Sequence, residues 1–128
     1  MKRRFFFVVL VIVLLLITPQ LFAQYNRDAV VSVMRNSYKL IGEINAAAGA
    51  NDFYTTAVKL MELAEAFKTL EQTPPPRGSR SEWDRIHNEL IEAAFRGIGA
   101  CGERDSKALQ AELSKIMAYN QEGHSKFK

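Results

Sequence analysis

The chain has 128 residues, 48% hydrophobic and 24% charged, with a formal net charge of +3 and one cysteine. Lys2, Arg3 and Arg4 account for that charge, because without them the cations only equal the 14 acidic residues. The overall basicity is therefore no sign of a nucleic-acid or anionic-membrane partner, and none is expected, while one cysteine excludes an internal disulfide or a cysteine metal cluster.

The three early cations precede an unbroken apolar run from Phe5 to Ile17, then Thr18, Pro19 and, further on, the small residue Ala23. Positive start, apolar middle and small-residue exit are the order of a secretory signal peptide. The run is shorter than the ~20 apolar residues that span a bilayer. Residues 1–23 are therefore expected to be a signal peptide and residues 24–128 a single exported, periplasmic domain. Left uncleaved, the same segment would be the one membrane attachment. The remaining domain is long enough to bury a core without a metal or disulfide staple.

Beyond the signal, apolar residues recur at helical spacing and strand-like alternation is absent. A first helix is expected to run from caps at Asn26 or Asp28 to about Ala48, with Val30, Met34, Ser37, Tyr38, Ile41 and Ile44 on its inner face. Gly49 stops it and Asn51 is expected to cap the next. The second helix, Asp52 to Glu71, carries Phe53, Ala57, Leu60, Met61, Ala64, Phe67 and Leu70 inward. Thr73 and Pro74–Pro76 end it, since proline lacks the donor that a helix needs. The segment PPPRGSR is then the one long connection.

Ser81 with Asp84 reads as the capping pair of a third helix, which presents Trp83, Ile86, His87, Leu90, Ala94 and Ile98 inward. Gly97, Gly99 and Gly102 are expected to dissolve it, leaving Cys101 in a loop, where it is incidental, a bridge between two copies or a modification site, the first being the expectation. Asp105 or Ser106 caps a fourth helix with Leu109, Leu113, Ile116, Met117 and Phe127 on one face, and Asn120 and His124 extend that face. Four amphipathic helices with three connections predict an all-α, antiparallel up-down-up-down four-helix bundle.

Enzyme signatures are missing: there is no phosphate-binding glycine loop, no nucleophile elbow and no histidine pair at helical spacing. The chain is thus not expected to be an enzyme. The notable inward residues are Met34 and His124. In this topology the start of helix one and the end of helix four share one end of the bundle, so the two face each other. A methionine thioether opposite an imidazole is an axial pair for haem iron, and Phe67, Trp83 and Leu90 are suited to wall a macrocycle.

These residues resemble the cytochrome b562 family. The similar pieces are the terminal HSKFK from His124 to Lys128, AVKLM around Met61, and TPPP from Thr73. The resemblance implies a periplasmic bundle that holds haem b non-covalently for electron transfer to an unidentified redox partner protein. It implies Met34 and His124 as iron ligands, with Trp83, Phe67 and Lys128 as further cofactor contacts. Three features depart from the family: Lys128 stands where arginine is usual, His87 replaces an aromatic, and Met34 lies deeper in its helix than His124 in its own. The chain is also similar to the cytochrome c-prime bundles, but residues 120–124 read NQEGH where those carry C-x-x-C-H. Covalent haem c is therefore excluded. The alternative expectation is a haem-free bundle that serves as a binding or structural protein of the cell envelope.

Overall fold

The computed structural model describes residues 27–128, and these form four α-helices and no strand: α1 Arg27–Gly49, α2 Phe53–Glu71, α3 Arg80–Glu103 and α4 Ser106–Phe127. They make a four-helix bundle. The expected signal peptide and the Asn26 cap lie outside the described residues. No described helix is long and apolar enough to cross a membrane.

Two of the three connections use the same device. At the end of α1, Asn51 takes a left-handed conformation (φ 56°), and the amides of Asn51 and Asp52 bond back to Ala48 and Ala47 carbonyls at 3.1 and 2.9 Å. Arg104 (φ 54°) repeats it after α3, with the amides of Arg104 and Asp105 reaching Cys101 and Ala100 carbonyls. Both are Schellman closures, which satisfy the last carbonyls of a helix. The residue after each left-handed turn is an aspartate that caps the next helix: Asp52 accepts from the Thr55 amide and Asp105 from the Ala108 amide. Asp52, not the expected Asn51, is thus the cap, because Asn51 is consumed in ending α1. Ser106 Oγ donates to Asn51 Oδ1 and ties the two turns together.

The longer connection, residues 72–79, is braced by its flanking side chains. Arg80 donates to the Glu71 and Thr73 carbonyls at 2.6 and 2.8 Å, covering the end of α2 that proline leaves without amide partners. Ser79, not Ser81, caps α3 by accepting from the Glu82 amide. Gly78 has φ 79°, and a Cβ there would meet the Phe127 ring at 3.1 Å, so chain direction and close packing both select glycine.

The core is built from Val30, Leu40, Ile44, Leu60, Leu63, Phe67, Leu70, Trp83, Ile86, Leu90, Leu109, Leu113, Ile116 and Phe127, with small alanines between them. Leu40 and Leu63 join the core although neither is expected on an inner face, whereas Tyr38, Met61 and Met117, expected inward, are exposed. Each of these three lies one position from a buried residue (Ser37, Leu60, Ile116). A 100° step per residue makes the edge of an apolar stripe hard to place.

The largest correction concerns α3. Gly97, Gly99 and Gly102 do not dissolve it; the helix continues to Glu103, and Cys101 is a buried core residue rather than a loop residue. Gly97 is needed for approach instead, since a Cβ there would lie 2.9 Å from Leu60 Cδ1. Burial also pushes the Cys101 thiol pKa up, away from the reactive thiolate. Nearby, Glu112 is buried but bonded to Arg96 at 3.1 Å and Lys115 at 3.1 Å. Its burial would raise the carboxyl pKa, and those two cations outweigh it and hold the pKa low.

Candidate functional site

Close backbone packing joins α1 to α2, α2 to α3 and α3 to α4. The helices at the two ends of the described chain, α1 and α4, stand further apart, and a cavity of about 320 Å³ opens where their inner faces meet α2 and α3. Its walls are mainly apolar: Val31 and Ile41 from α1, Phe67 and Leu70 from α2, Trp83, Ile86 and Leu90 from α3, and Phe127 from α4. Such a shape, apolar with a few placed polar groups, is that of a small-molecule site.

All five residues singled out from the sequence line this one cavity: Met34, Phe67, Trp83, His124 and Lys128. Met34 is half-buried on α1 and Phe67 is 2% exposed at the back. His124 belongs to the last turn of α4 and is exposed, not on the buried stripe where its spacing from Ile116 and Met117 puts it. The inner line of α4 passes instead through Ile116, half-buried Tyr119, Asn120 and Gly123, then Phe127, so His124 sits at the rim.

Trp83 is the best-fixed wall. It is 1% exposed, its indole Nε1 donates to the Leu70 carbonyl at 3.0 Å, and Phe127 meets its ring edge-on with centroids 4.9 Å apart. This satisfies the one polar atom of a large buried ring. The bond also locks the end of α2 to the start of α3 beneath the cavity.

His87 is more than an inward-facing helix residue. It is 5% exposed, lines the cavity and stacks at a tilt on Trp83, with ring centroids 4.3 Å apart. Its Nδ1 is 2.8 Å from the Trp83 carbonyl, which can only accept, so Nδ1 carries the proton and donates. Burial lowers the pKa of the ring, and the Trp83 carbonyl, Glu71 and Asp84 only partly offset that, so His87 is neutral, with an Nε2 lone pair that takes no hydrogen bond among the described residues. An imidazole oriented through Nδ1 by a carbonyl is the state in which histidine accepts a hydrogen bond or ligates a metal through Nε2. Its spacing of four from Trp83 is the available sequence signal.

Arg27, Tyr38, Tyr119 and Asn120 also line the cavity, and Arg27 in particular has no motif to mark it. Among the described residues, no three His, Cys, Asp or Glu side chains cluster in a way that would hold a metal ion. No protein-family model, curated protein or solved structure matches this chain significantly.

Proposed function

We propose that this chain is an exported, cytochrome b562-like bundle with antiparallel up-down-up-down helices, which binds haem b non-covalently and transfers electrons to a redox partner protein in the periplasm. The observation that carries this reading is the convergence of Met34 and His124, 90 positions apart in sequence, on one apolar cavity walled by Trp83 and Phe67. The pairing of side chains supports the antiparallel order: Glu43 with Lys59, Leu70 with Trp83, Gly97 with Leu60, and Glu112 with Arg96 each join the late part of one helix to the early part of the next, or the reverse.

The residues present suit the group. Met34 would hold it through a thioether sulfur and His124 through an imidazole nitrogen, a donor set that favours electron transfer over oxygen chemistry. Bound haem would supply one-electron chemistry. Trp83 and Phe67 exclude water from the inner wall, and Lys128 places a cation at the rim. The rim position of His124 leaves one edge open, as outer-sphere exchange with a partner protein requires. The cavity is near the lower end of the roughly 300–1,000 Å³ usual for ligand sites. Seating a macrocycle therefore relies on that open side.

Titration of the purified protein with haemin, followed by its visible spectrum, tests the reading. Wild type is expected to give a six-coordinate low-spin Soret band. His124→Ala should weaken binding by about tenfold or more, and Met34→Ala should leave a five-coordinate complex. A spectrum of free haemin at all ratios would refute the proposal. The exposure of His124 favours one second reading, a haem-free envelope protein that uses the same cavity for another ligand.

A further inference from the structure

The charged groups around the cavity are of one sign. Two cations line it, Arg27 from the first turn of α1 and Lys128 after the last turn of α4, and among the described residues no aspartate or glutamate does. Several other cations of the bundle are paired, Arg80 with Asp84, Arg85 with Glu82 and Glu122, Arg96 with Glu92 and Glu112, and Lys126 with Glu82 and Glu122. The further cations without an ion pair among the described residues, Arg35, Arg77, Arg104 and Lys107, do not line the cavity. Arg27 and Lys128 make no ion pair among the described residues, although 14 acidic residues balance the cations of residues 24–128. An apolar interior with two uncommitted cations and no acid matches a ligand with an apolar body and an anionic end.

We propose that Arg27 and Lys128 form a carboxylate-binding rim, so that the ligand of this cavity is an amphipathic carboxylate whose apolar body lies against Phe67, Trp83 and Leu90. Arg27 supplies the planar guanidinium that presents two parallel donors to a carboxylate, which Lys128 as a point charge does not. The proposal rests on the reading of the cavity as a ligand site but needs no iron. Two sources have this chemistry, a tetrapyrrole with propionate groups and a long-chain fatty acid.

The full chain has one tryptophan, Trp83, in the cavity wall, so its fluorescence reports occupancy directly. The probes are metal-free protoporphyrin IX, its dimethyl ester, hexadecanoate and its methyl ester. At least one free acid is expected to quench Trp83 and to bind more tightly than its ester, with affinity falling as salt rises. The double variant Arg27→Gln, Lys128→Gln should lose about tenfold for that acid, a modest factor because both cations are solvent-exposed, and nothing for the ester. The ester arm also shows that the variant is folded. Equal binding of acid and ester, an unchanged double variant, or no binding of either acid would overturn the proposal. Binding of hexadecanoate alone would sustain the rim and remove the tetrapyrrole reading, whereas binding of protoporphyrin alone would sustain both. A rim that fails while haemin still gives a ligated spectrum would leave the haem reading standing alone.

Discussion

His87 shows how one side chain acquires its properties from its surroundings. Its burial between Trp83 and the cavity disfavours the imidazolium, while Glu71 and Asp84 favour it and Arg80 opposes it. The folded pKa lies below the ordinary 6.5, so the unfolded chain binds the extra proton first. Stability contributed by neutral His87 is therefore full above about pH 6.5 and falls as pH drops from there through the lower folded pKa. Urea unfolding between pH 7.5 and 5 should show this decline, and His87→Phe, which keeps an aromatic in the wall, should flatten it. An unchanged slope in the variant would assign the decline to other groups. From sequence, His87 could be placed on an inner face by its spacing from Trp83. The bond from Nδ1 to the Trp83 carbonyl, which leaves Nε2 as the acceptor, depended on a rotamer that only packing selects.

The glycines of α3 separate propensity from packing at the scale of an element. Read as sequence, Gly97, Gly99 and Gly102 are equal helix breakers, each costing ~1 kcal/mol relative to alanine. In the fold they are not equal. A Cβ at Gly99 would meet nothing within 4 Å, whereas one at Gly97 would meet fully buried Leu60 at 2.9 Å. Gly99→Ala should therefore raise stability by up to ~1 kcal/mol through helix propensity alone. Gly97→Ala gains the same propensity but forces Leu60 to move in a filled core, which costs ~1–3 kcal/mol, so a net loss of about 1 kcal/mol is expected. Thermal unfolding of the two variants decides the matter, and shifts of the same sign would overturn it. The helix persists through its glycines because Trp83, Ile86, Leu90, Ala93, Ala94 and Cys101 bury one continuous face, and tertiary burial outweighs local preference.

At the scale of the molecule, α1, like α4, has a close neighbour on one side only. It packs closely on α2 and faces α4 across the cavity, whereas α2 and α3 each have close neighbours on both sides. Its residues Val31 and Tyr38 are exposed beside the opening. Backbone amides of residues 27–38 should therefore exchange with solvent faster than those of the Trp83–Leu90 segment in α3. A ligand in the cavity should slow that exchange, by up to ~2.7 kcal/mol of added protection at 100 times its Kd for openings that destroy the site. Hydrogen exchange with and without haemin or protoporphyrin measures both effects, and protection of α1 equal to that of α3 in the free protein would contradict this picture. What could be read from the residues alone was local: four amphipathic helices, a fourth cap at Asp105 or Ser106, the proline exit after α2, and the residue types Met34, Phe67, Trp83, His124 and Lys128. These follow from helical periodicity and from backbone chemistry that neighbours in sequence decide. Tertiary structure decided what depends on distance through space. It carried α3 through its glycines, buried Cys101, moved His124 to a rim, and left α1 and α4 far enough apart to open a cavity. The expected topology already put the start of α1 and the end of α4 at one end, but that Arg27 and Lys128 line the same opening depended on the spacing of the two helices, which no periodicity in sequence records.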